Sequence, residues 1–103
     1  MKLHSSPWGK VQHQRSIAPG IEMVSTSSHG GCYVSNERLA ELPAAVRFAE
    51  RFNPPGNWYE EDCEVAIVIA AFPDAAAGFG ADRAAAIRCL KNYYPHIASA
   101  LGE

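Results

Sequence analysis

The sequence predicts an α+β fold: an N-terminal three-stranded antiparallel β-meander packed against three to four helices, in a single domain of residues 1–103. Three observations lead there. The first third partly alternates apolar and polar residues and is broken by two turn signals, Ala18-Pro19-Gly20 and His29-Gly30-Gly31. From Ser35 onward apolar residues recur at helical spacing, punctuated by Pro43, Pro73 and Pro95. Finally, 103 residues with 48% hydrophobic and 19% charged content match an ordinary globular composition with one packed core.

The elements follow in order. Trp8 to Ile17 reads as a first strand with one wetter face carrying His13 and Arg15. Pro19 presets φ and Gly20 accepts a positive φ, so the chain turns there and returns as Ile21 to Ser27. His29-Gly30-Gly31 reads as a second tight turn, leading into a short third strand at Cys32-Tyr33-Val34. Ser35 is placed to cap a helix, with Glu37 in its first turn. Pro43 stops that helix and starts another as its N1 residue, and Asn53 to Asn57 forms a loop.

Trp58 to Phe72 begins acidic and ends in the apolar run Val65 to Phe72. Carboxylates in the first turns suit a helix start, and an unbroken apolar tail suits a buried helix, so the whole segment is read as helix. The β-branched run is the alternative, a central strand over 65–72. Pro73 should end the element and Asp74 to Gly80 should be a small-residue loop. Asp82 then caps a last helix, Arg83 to Tyr94, and Pro95 leaves a tail whose Ile97 and Leu101 pack back.

Composition excludes some function classes. A net charge of -2 with scattered Lys and Arg offers no basic face, which disfavours direct nucleic-acid binding. No apolar run approaches a membrane span, and Met1 to Gly9 has no apolar core of signal-peptide type. Three widely spaced cysteines without a CxxC pair read as reduced thiols, and a cytoplasmic location follows as the expectation.

The segments Trp8-Gly9, Ala18-Pro19-Gly20-Ile21, Ser25 to Gly31, Trp58 to Glu64 and Tyr94-Pro95 occur in an order that resembles a family of small uncharacterised domains from bacteria, phages and plasmids. The resemblance runs from about Pro7 to Tyr94. It implies a phage or mobile-element origin and brings no activity with it.

Two sets of residues carry potential chemistry. His29 beside Gly30-Gly31 and Cys32 offers a base and a nucleophile with backbone donors nearby; a tight hairpin with Cys32 as a small buried side chain is the simpler alternative. Glu60, Glu61 and Glu64 share faces if the segment is helical, which would present carboxylates to a metal together with His29 or His13. A helix start paired to Arg38 or Arg15 explains them equally. Without HExxH or ExxH spacing, no metal and no cofactor is expected. A third arrangement has Glu61 or Glu64 pointing inward beneath His29, near Arg38, as a buried polar network.

Two functions follow. The first is a non-enzymatic interaction protein that binds a host protein or protein complex, such as an anti-CRISPR-type inhibitor of a host defence effector. Its surface would be Glu60, Glu61, Asp62 and Glu64 with Trp58 and Tyr59. The second is a small enzyme or ligand- or metal-binding domain built on His29, Cys32, Arg38 and the Glu60 to Glu64 carboxylates, with Glu61 and Glu64 foremost among them. An exposed strand of the meander leaves room for a homodimer.

Overall fold

A computed structural model describes residues 2–103; Met1, at the head of the predicted domain, lies outside them. The architecture is mixed α+β. Strands β3 (His13–Ala18), β4 (Ile21–Ser25), β5 (Gly30–Val34) and β6 (Trp58–Glu60) form one antiparallel sheet in that order, and β1 (Ser5–Ser6) pairs with β2 (Gly9–Lys10) in a separate hairpin. The helices are α1 (Asn36–Leu39), α2 (Ala44–Arg47), α3 (Val65–Ala71), α4 (Pro73–Phe79), α5 (Arg83–Tyr93) and α6 (Pro95–Ala100). No helix among the described residues is long and apolar enough to cross a membrane.

The locally encoded features are where the sequence places them. Gly20 turns β3 into β4 at φ 76°, a conformation only glycine takes freely. Ser35 caps α1 by accepting from the Arg38 backbone N–H, and Asp82 caps α5 by accepting from Ala84 N–H. Ile97 is fully buried in the core.

Five expectations need correction. The long first strand is broken: Trp8 lies in the β1–β2 hairpin and β3 starts only at His13. A register shift between Ser16 and Ala18 then lets consecutive Ile17 and Ala18 both be buried.

The second turn is displaced upstream. Thr26 closes it, its N–H donating to the His29 carbonyl at 2.8 Å, while Gly30 and Gly31 are buried strand residues without positive φ. Their lack of a side chain serves close approach: a Cβ on Gly31 would lie 2.3 Å from the Tyr59 carbonyl oxygen and 2.4 Å from the Trp8 ring.

The meander gains a fourth strand, because Trp58 to Phe72 is not one helix. Trp58–Glu60 pairs with Tyr33, Cys32 and Gly31 of β5, a turn follows, and only Val65–Ala71 is helical. Pairing covers a β5 edge whose N–H and C=O groups would otherwise stay open, and alternation sends Tyr59 into the core and Trp58 to the other face. The 65–72 run is therefore helix up to Ala71, with Phe72 extended.

The predicted loop after Pro73 is helix α4. Pro73 occupies its first turn, alanines favour it, and Gly80 ends it at φ 65°. Gly78 lets α4 pack directly on β3, since a Cβ there would lie 2.0 Å from the Ile17 carbonyl oxygen. Two prolines shift by a position or a role: Pro43 is the N-cap of α2 rather than its N1 residue, and Pro95 begins α6 instead of a plain tail.

The sheet thus has two covered faces. One packs Ile21, Cys32, Val34 and Tyr59 against Ile67, Leu90 and Ile97. On the other, Trp8 meets Trp58 edge-on at 5.7 Å between ring centres, and Trp58 meets Tyr33 at 5.1 Å.

Candidate functional site

The acidic run divides into an inner and an outer part at the turn between β6 and α3. Glu64 is the inner part, and its side chain is fully buried. Its Oε2 accepts from Arg51 Nη1 at 2.8 Å and from the Asn53 backbone N–H at 2.9 Å, while Oε1 accepts from the Glu60 N–H at 2.9 Å. Arg51, also fully buried, donates to the Trp58 carbonyl at 2.8 Å and lies 3.9 Å above the Tyr59 ring centre. One carboxylate therefore ties the 51–57 loop to the end of β6.

The sequence offered Glu61 or Glu64 turned inward beneath His29 near Arg38; the structure turns Glu64 inward, but its cation is Arg51 and His29 takes no part in its hydrogen bonds. Arg38 is elsewhere, paired with Asp74 and Glu41 and stacked on Phe72. It lies beside Gly20, at the opposite end of β4 from the Ser25–Gly30 pair, so roughly 14 Å of strand separates it from the His29 turn. Arg15 donates to the Gly78 carbonyl. Arg51 was missed because thirteen residues and a loop separate it from Glu64, with no spacing to mark the pair.

Cys32 is brought close in sequence to His29 but not in chemistry. It sits fully buried on the helix-facing side of the sheet, and burial, with the Glu22 charge adding, pushes its thiol up to about 12. At neutral pH it holds its proton and is no nucleophile. A thiol reagent added to the native protein should leave Cys32 unlabelled, while all three cysteines react after unfolding in urea. Intact-mass spectrometry reads the difference, and rapid labelling of Cys32 in the native state would contradict its burial. Cys63, half-buried, is also pushed up by burial, with the neighbouring Cys89 adding.

The outer part is what the fold presents. Because Gly31 pairs with Glu60 and the Glu61 N–H donates to the Gly30 carbonyl at 3.1 Å, the β6 end lies against the start of β5. His29, Glu60 and Glu61 consequently each bring a potential ligand atom within 4.8 Å of the others. His29 and Glu61 are exposed and Glu60 half-buried; Asp62, next in the turn, is exposed. Burial, followed by the Asp62 charge among the raising effects, pushes the Glu60 carboxyl above its ordinary value.

Of the sequence-predicted residues, the structure unites His29, Glu60 and Glu61 with Asp62 adjacent. It places Trp58 half-buried among rings, seals Tyr59, Cys32 and Glu64 inside, and sets Arg38 apart. Arg38 instead borders a cleft of about 410 Å³ with Pro19, Glu22, Tyr33 and Glu37.

The chain belongs to the family described as a domain of unknown function, DUF7007, whose model matches residues 1–102. No curated protein and no solved structure matches the chain.

Proposed function

We propose that this domain is a non-enzymatic interaction protein that binds a basic partner protein through the turn carrying Glu60, Glu61 and Asp62. The observation behind it is an uncompensated acidic surface: none of these three carboxylates is in an ion pair among the described residues, whereas Arg38, Arg51 and Arg83 each neutralise an acid elsewhere. Exposed unpaired charge steers association with a surface of opposite sign. Phe48, Phe52 and Tyr93, at 64%, 74% and 66% exposure, are the large apolar side chains left open among the described residues, of the kind interfaces bury. A catalytic reading has less support, because Cys32 and Glu64 are sealed and Arg38 is remote from His29.

The resemblance supports a phage or mobile-element origin, and in its specific form the proposal is an inhibitor of a host defence complex of the CRISPR-effector kind. There the acidic turn would compete with nucleic acid for a basic groove. Affinity capture from host lysate with wild type and a Glu60→Lys, Glu61→Lys variant provides the test. A protein recovered by the wild type should be lost with the variant and released by salt. Equal recovery by a folded variant would sink the acidic-turn interface.

A further inference from the structure

We infer that His29, Glu60 and Glu61 form a surface binding site for a divalent transition-metal ion of the Zn²⁺ class. The inference goes beyond partner binding, and its test needs only the metal.

The geometry is set by backbone, which is what gives an exposed cluster a defined shape. Thr26 holds His29 from both sides: its Oγ1 accepts from the His29 N–H at 3.1 Å and donates to the His29 carbonyl at 2.7 Å. Glu60 is fixed by its pairing with Gly31, and its N–H is bound by the buried Glu64 carboxylate at 2.9 Å. Glu61 is fixed by its N–H bond to Gly30. Its carboxylate lies close over that glycine, where a Cβ would sit 2.8 Å from Oε2. Three potential ligand atoms lie within 4.8 Å of one another; ligands of one tetrahedral ion with bonds of about 2.0–2.2 Å sit about 3.4 Å apart, so a small rotation of the exposed His29 and Glu61 side chains closes the set on one ion.

Charge and donor type select the ion. Glu60, Glu61 and Asp62 place three carboxylates on one short turn, with no Lys or Arg paired to them among the described residues. The His29 ring and the Glu61 carboxylate make no hydrogen bond within the described chain, so both are free to ligate. One imidazole nitrogen with two carboxylate oxygens is a mixed set that suits Zn²⁺ and its first-row neighbours, whereas Mg²⁺ and Ca²⁺ prefer all-oxygen surroundings. Three protein ligands leave a coordination position open to water or to a partner's side chain.

Zn²⁺ titration of the intact protein, followed by calorimetry and by histidine-ring NMR, tests the site. One Zn²⁺ per chain is expected, with the His29 ring resonances shifting first and those of His4, His13 and His96 following only at excess. His29→Ala and Glu61→Gln should each weaken binding by about tenfold or more, as loss of a direct ligand costs at least what loss of its supporting contacts does. Both side chains are exposed, and equal urea midpoints would verify that the variants fold. Unchanged affinity in His29→Ala, no saturable Zn²⁺ binding, or displacement of Zn²⁺ by an equal concentration of Mg²⁺ would each overturn the site. The wild-type NMR result stands even if a variant misfolds.

Discussion

Replacing Glu64 with Gln should destabilise the protein by about 3–5 kcal/mol, the usual cost of removing one member of a buried ion pair. The substitution keeps the shape and removes the charge, so Arg51 remains fully buried beside an amide. Arg51 already leaves its Nε without a partner, and the substitution takes the charged acceptor from its Nη1 as well. The loss reaches beyond the pair, because Glu64 also accepts the N–H groups of Asn53 and Glu60. Urea denaturation measures the effect. For a domain of this size, such a loss consumes much of the whole folding stability. A change under 1 kcal/mol would mean that the pair is solvated and that Glu64 does not organise the 51–57 loop.

Gly31→Ala should be the most damaging single methyl in the sheet. The added carbon has nowhere to go: it meets the Tyr59 backbone oxygen at 2.3 Å and the Trp8 ring at 2.4 Å. Relief requires parting β5 from β6 or lifting the β1–β2 hairpin off the sheet, and overpacking of this kind costs about 1–3 kcal/mol or more. Loss of the Trp8–Trp58 contact should appear in near-ultraviolet circular dichroism alongside a lower urea midpoint. Gly56→Ala is the matched control, since the nearest atom to its Cβ would be the Pro54 oxygen at 3.9 Å. Equal behaviour of the two variants would contradict the close packing of Trp8.

What the sequence made legible was local. The Ser35 and Asp82 caps, the Pro19-Gly20 turn and the helical character of Val65–Ala71 each depend on residues within a few positions of one another. What it hid depends on partners far along the chain. Trp58–Glu60 looks like the head of a helix until β5 offers it an edge, and the acidic residues that follow then belong to a turn. The glycines after His29 carry the usual mark of a turn, yet Gly31 answers to a tryptophan 23 residues upstream and a strand carbonyl 28 residues downstream, and Gly30 to the Val24 carbonyl and the Glu61 carboxylate. Asp74 to Gly80 lacks large apolar residues and so resembles a loop, although alanine is the best helix former and Gly78 needs to be small.

The candidate site follows the same rule. His29 and Glu60 are 31 positions apart, and only the β5–β6 register makes them neighbours. Had β6 been recognised as a strand, antiparallel pairing would have placed the acidic turn against His29. The direction of Glu64 was beyond reach, because nothing in Glu60-Glu61-Asp62-Cys63-Glu64 distinguishes the one carboxylate that turns inward.

The central claim is a division of labour: Glu64 holds the fold together, while the exposed Glu61 adds nothing to stability and is the carboxylate we propose for binding. Urea unfolding of Glu61→Gln beside Glu64→Gln tests it most directly. Glu61→Gln should match the wild type or exceed it slightly, as a like-charge repulsion is removed, while Glu64→Gln loses several kcal/mol. Equal losses in the two variants would contradict the claim and return both carboxylates to a single structural network.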